Sequence, residues 1–165
     1  MAKVFPGRFT AQIEGDFVVF LIGMRVNRPL LVHKWLPVAA AMPRMIKELR
    51  QHPELGLLHA QFFVSGLTIM NVQYWRSFNQ LHAYAHTRDN EHMPAWAAFN
   101  RKVGGNGSVG LFHETYEVQG GHYECIYANM PRLGLAVAGE LLPAVGGLER
   151  ARSRMRTHTG EDRIR

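Results

Sequence analysis

Hydrophobic and polar positions alternate between two periods along the chain, and the changes of period mark out its elements. Residues 16–26, DFVVFLIGMRV, are a continuous run of β-branched and aromatic side chains, the pattern of a strand buried on both faces. One face presents Val18, Phe20, Ile22 and Met24; the other carries Phe17, Val19, Leu21 and Gly23 and ends in Arg25. From about Val32 to Gln51 apolar residues recur at helical spacing, with Pro37 and Pro43 predicting a short first turn before the main helix. LLHAQFFV (57–64) and TIMNVQYW (68–75) read as strands joined tightly through Ser65 and Gly66. Ser77 is a suitable N-cap for a second helix, FNQLHAYAHT, and a further helical piece, HMPAWAAFNRKV, has Pro94 in its first turn. After the turn GGNGS comes a strand at 108–118, SVGLFHETYEV, and then HYECIYA as one more.

The order β, α, β, β, α, β is that of an α+β, ferredoxin-like βαββαβ unit with an antiparallel sheet. Both faces of the first strand are apolar, which predicts that the sheet face without helices is buried by a second copy, giving a homodimer with a dimeric α/β barrel. Residues 1–15, with Pro6, Gly7 and Gly15, read as an irregular N-terminal arm, and 16–145 as the domain. The apolar segment after Pro131 reads as a short helix packed on the neighbour or closing a cavity, and 146–165 as a basic, disordered tail.

Composition changes this picture little. With 165 residues, 47% hydrophobic and 19% charged, the chain suits one globular domain. Its single cysteine, Cys125, excludes an internal disulfide, fits a reducing cytoplasm and reads as a packed thiol. The N-terminus is too polar for a signal h-region, and FVVFLIGM is too short to span a bilayer, so neither export nor a membrane span is expected. The net charge of +6 gathers near the end of the chain, and no aromatic-basic platform accompanies it, so nucleic-acid binding is not expected.

Candidate chemistry concentrates in NVQYWRSFNQLHAYAHTRDNEH, residues 71–92. Alternation places Ile69, Asn71, Gln73 and Trp75 on one strand face, and amides beside a tryptophan suit a cavity wall better than a dry core. His82 and His86 share a helix face at the i, i+4 spacing of paired metal ligands, a pattern that a solvated face also produces. His92, at the edge of an aromatic helix face, suits either an axial haem ligand or a general base, and equally a residue of a helix start. In the strand at 108–118, His113 falls on one face while Glu114 and Tyr116 fall on the other, with Arg25 or Arg101 as the expected partner of Glu114.

Taken together, the runs FLIGMRVNRP, WLPVAAAMPRMIKEL, VQYWRSFNQLHAYA, HMPAWAAFNR and FHETYEV resemble the small monooxygenase-like family related to a fumagillin-pathway monooxygenase, over roughly residues 15–140. The resemblance implies the dimeric α/β-barrel fold, a group that also holds cofactor-free antibiotic-biosynthesis monooxygenases, haem-degrading enzymes, chlorite dismutases, aldoxime dehydratases and the spheroidene-pathway ketolase. Fold alone therefore does not select the reaction. By resemblance to the haem-binding members, His92 or else His86 ligates haem iron, Arg25 meets a propionate or a substrate carboxylate, and Glu114 or His113 is the distal acid–base group, with Tyr116 alongside. This implies a haem-dependent monooxygenase or dehydratase-like enzyme acting on a hydrophobic small molecule. Tyr84 stands where the haem-degrading members carry a tryptophan, which speaks against haem breakdown. By resemblance to the cofactor-free members, Asn71 and Trp75 hold a phenolic or polyketide substrate that itself reacts with O2. A non-catalytic dimeric carrier of a hydrophobic ligand is the third reading.

Overall fold

The computed structural model describes residues 2–87, 97, 99, 100 and 105–156. Four strands, β2 (Phe17–Val26), β3 (Leu57–Ser65), β4 (Thr68–Trp75) and β5 (Val109–Val118), form an antiparallel sheet in the order β3-β4-β2-β5. This is the ferredoxin-like arrangement: the first strand of the unit lies between the third and the fourth, and a hairpin joins β3 to β4.

Helices α1 (Val32–Gln51) and α2 (Phe78–His86) cover one face. Ser77 caps α2 as the sequence predicts, its hydroxyl accepting from the Gln80 amide. The two prolines do not divide α1, which runs unbroken from Val32 to Gln51. Its buried Met45, Ile46 and Leu49 pack with Val18, Trp75, Leu81 and Tyr84, and that burial offsets the hydrogen bonds lost at Pro37 and Pro43.

The N-terminal segment is not an irregular arm. Phe5–Gln12 forms β1, paired antiparallel with β6 (Tyr127–Met130) on one side and β7 (Glu140–Pro143) on the other. A bulge between Phe5 and Arg8, with Gly7 at φ 96°, takes up the irregularity that Pro6 and Gly7 suggest in the sequence. Of the expected last strand HYECIYA only Tyr127 and Ala128 are extended, at the start of β6 (Tyr127–Met130), which joins β1 rather than the main sheet.

This second sheet and α3 (Leu135–Ala138) lie on the main sheet's other face, where Ala11, Ile13, Leu135 and Ala136 pack with Phe17, Val19 and Tyr74. The segment after Pro131 thus closes its own sheet, away from α1 and α2. A second copy would have only the other half of that face to cover, around Leu21, Met70 and the exposed Phe63 and Phe112.

Within the segment read as a disordered tail, Ala151–Arg156 forms α4. Buried Arg154 donates to Glu124 Oε1 and, through Nη1, to the carbonyls of Leu148 at 2.9 Å and Glu149 at 2.8 Å. Residues 157–165 lie outside the described residues. No helix among the described residues is long and apolar enough to cross a membrane.

His59 gives this packing a pH dependence. Its ring stacks on Tyr74 at 6.4 Å, and its Nε2 is buried without a hydrogen-bond partner. Burial pushes its pKa below the ordinary value, while Gln61 opposes the shift and Arg50 adds to it. Below a pH of about 6.5 the unfolded chain takes up a proton that folded His59 refuses, so its contribution is present at neutral pH and lost on acidification. His59→Gln is expected to flatten stability between about pH 7.5 and pH 5, measured as urea midpoints across that range.

Candidate active site

A cavity of about 870 Å³ lies between the main sheet and helices α1 and α2. Strand register sets its floor: Phe62, Asn71, Ile22 and His113 form one row across β3, β4, β2 and β5. Asn71 and His113 stand on either side of Ile22, roughly 10 Å apart at the backbone, because two strand spacings of about 4.8 Å separate them. Their side chains project to the helix side together with Phe20, Ile22 and Met24.

The roof owes its height to α1. Ala39, Ala40 and Ala41 present only methyl groups, leaving space where leucines would fill the gap to the sheet. Met42, Met45, Leu81 and Phe99 complete an apolar wall. The alanine run is legible in the sequence, but only the position of the helix over Asn71 makes it a roof.

The amides and the tryptophan singled out by alternation have different fates. Trp75, 1% exposed, sits in the core beneath α1 and α2 and does not line the cavity. Its indole N–H donates to Gln73 Oε1 at 2.8 Å, and Gln73 Nε2 lies 3.6 Å from Met42 Sδ. Gln73 is therefore a clamp on Trp75. Asn71, also 1% exposed, lines the cavity, and neither its Oδ1 nor its Nδ2 has a hydrogen-bond partner. A buried amide left unpaired on both atoms costs about 1–3 kcal/mol for each unmet group, a cost that a bound ligand or an ordered water in the cavity would remove.

Among the described residues, three histidines reach the cavity. His113 is on the floor, its ring 5.8 Å from that of Phe20. His82 and His86, which a solvated helix face would also explain, stand at the exposed mouth with rings stacked 4.0 Å apart. His86 Nδ1 lies 2.8 Å from the His82 carbonyl, a contact in which the ring N–H donates. Tyr84 points into the core, where its hydroxyl donates to Glu48 at 2.6 Å.

The residues expected around haem are only partly gathered at one site. Arg25 is on the opposite sheet face, its guanidinium 3.4 Å from Thr68 Oγ1. Glu114 and Tyr116 share that face; β5 is an edge strand rather than a central one, both residues are exposed, and the Tyr116 hydroxyl donates to Glu114 at 2.5 Å. Glu114 thus pairs with Tyr116 and not with Arg25, the other expected partner, Arg101, lying outside the described residues, and the bond raises the Tyr116 pKa. His86 is at the cavity mouth with the sheet between it and these three groups, and His92 lies outside the described residues. Arg25, Glu114 and Tyr116 therefore do not share a site with His86, whereas His113 lines the same cavity as His86.

A family described as monooxygenase af470-like matches residues 17–135. Over 149 residues the chain is 32% identical to "Monooxygenase af470" of Aspergillus fumigatus, a stretch covering 78% of this chain and 53% of that protein. The chain thus spans about half the length of that curated relative. Among solved structures, SnoaB, a cofactor-independent oxygenase from Streptomyces nogalater, is similar at 12% identity with a TM-score of 0.45, over 63% of this chain and 94% of that one. A conserved protein from Bacteroides thetaiotaomicron is similar at 14% identity with a TM-score of 0.44, over 62% and 98% respectively.

Proposed function

Because the chain belongs to the monooxygenase af470-like family, we propose that it is a monooxygenase that oxidises an electron-rich phenolic or polyketide substrate with O2 and without a resident cofactor. The observation that carries this reading is the unpartnered amide of Asn71 in the floor of an apolar cavity. A phenolic or enolic oxygen placed over Ile22 accepts a hydrogen bond from Asn71 Nδ2, and that bond strengthens as the oxygen gains charge on deprotonation. His113, at the other end of the row, takes the proton.

The resulting anion holds its electron pair on carbon and passes it to O2, forming a C–O bond and a peroxide. Cleavage of the O–O bond with loss of the second C–H hydrogen leaves a carbonyl and releases water. The substrate methylene loses two hydrogens and gains one oxygen atom, and the other oxygen leaves as water, so the substrate itself is the reductant. The protein contributes position and a preorganised dipole, and the apolar walls exclude solvent from the anion.

Dithranol, an anthrone with an acidic methylene, tests this. Protein stripped of metal and haem is expected to accelerate its oxygen uptake, and His113→Gln to lower the rate about 10²-fold, the scale of a lost general base. Strict dependence on added haem would overturn the proposal, and binding of dithranol without accelerated uptake would leave a carrier of hydrophobic ligands.

A further inference from the structure

We infer that the cavity takes an amphipathic acid, a hydrophobic molecule whose carboxylate sits at the mouth against Arg44, His82 and His86 while its reacting end lies inside on Asn71. The inference rests on the proposed use of Asn71 for the inner end, and it concerns the outer end, which that reaction leaves unassigned.

Among the described residues, every ionisable side chain lining the cavity is basic: Arg44 from α1, His82 and His86 from α2, and His113 from β5. Among the same described residues no aspartate or glutamate lines it. Arg44 is exposed, and no carboxylate pairs with it among the described residues. Glu48, one helical turn further along α1, accepts from the Tyr84 hydroxyl at 2.6 Å. Arg44 thus lines an apolar cavity at an exposed position with no hydrogen bond from its guanidinium fork to another described residue, an arrangement that suits a carboxylate.

The two histidines add direction. The contact of His86 Nδ1 with the His82 carbonyl leaves the His86 Nε2 edge open, and the stacked rings at 4.0 Å hold both imidazoles at the rim. An anion between Arg44 and this pair would be held while its apolar body passed Met42, Leu81 and Phe99. Asn71 supplies the independent sign of a ligand, being an unpartnered amide 1% exposed in the wall of the same cavity. A ligand with one polar function completes Asn71 and leaves Arg44 unused; a ligand with a polar function at each end completes both.

1-Pyrenebutyrate and its methyl ester, which differ in the carboxylate charge, serve as probes for the 165-residue chain by fluorescence titration. The acid is expected to bind about tenfold more tightly than the ester, the scale of one charge-assisted contact near a surface. Arg44→Gln is expected to remove that preference by weakening the acid while leaving the ester unchanged, with an unaltered thermal melt showing that the fold persists. His82→Gln with His86→Gln is expected to reduce the preference in part. Equal affinity of the two probes, or a preference that survives Arg44→Gln, overturns the inference. A preference for the acid together with no oxygen uptake on dithranol would uphold the acid site and defeat the oxygenase reading, so the two failures are distinguishable.

Discussion

Asn71→Leu is expected to make the protein more stable and nearly inactive. The Asn71 side chain is buried with both amide atoms unpaired, and each unmet group carries a desolvation cost of about 1–3 kcal/mol that leucine does not incur. The adjoining cavity leaves room for the larger side chain, so overpacking does not cancel the gain. We expect unfolding free energy to rise by about 1–2 kcal/mol, read from urea denaturation. Oxygen uptake with dithranol should fall about 10²-fold, as when one donor to a developing oxyanion is removed. These opposite movements are the mark of a residue kept for function at the expense of stability. A variant that loses stability and keeps its rate would show that Asn71 is a core residue whose partners are merely local.

Trp75→Ala is expected to have the larger effect on folding. The indole is 1% exposed among Val18, Met45, Ile46, Leu49, Leu81 and Tyr84, and its truncation costs about 3–5 kcal/mol. Gln73 Oε1 loses its donor as well, adding about 1 kcal/mol or more. Against a typical domain stability of about 5–15 kcal/mol, the variant should be marginal or unfolded at 37 °C. Trp75→Phe keeps most of the packing and should fold. Since Trp75 does not line the cavity, affinity for 1-pyrenebutyrate should stay within about twofold, below the 1.4 kcal/mol that a tenfold change requires. If Trp75 instead held the substrate, as its resemblance to cofactor-free oxygenases implies, the loss of its N–H would reduce kcat/KM without a matching loss of stability.

The two outcomes separate a pair that the sequence presents as equivalent. Asn71 and Trp75 share a strand face, and alternation groups them with Gln73. What divides them is where α1 and α2 lie over that face: above Trp75 their large side chains close down on the sheet, and above Asn71 the alanine run of α1 stands off from it.

Sequence alone determined the order of elements in the main sheet and its two helices, the faces of β2 and β4, the Ser77 cap and the ferredoxin-like unit, because each follows from local periodicity or from a side chain reaching its own backbone. It also placed His113 and Glu114 on opposite faces of β5. Only tertiary structure decided which face is the cavity, since the period of two in a strand says that faces differ and not what covers them. The rest depended on pairings over more than a hundred residues of chain. Thr10 bonds to the Cys125 carbonyl and Gly7 to Asn129, so that a segment read as an irregular arm becomes the centre of a second sheet. Arg44, His82 and His86, polar residues on the faces of two separate helices, become one rim only where the helices meet over the sheet.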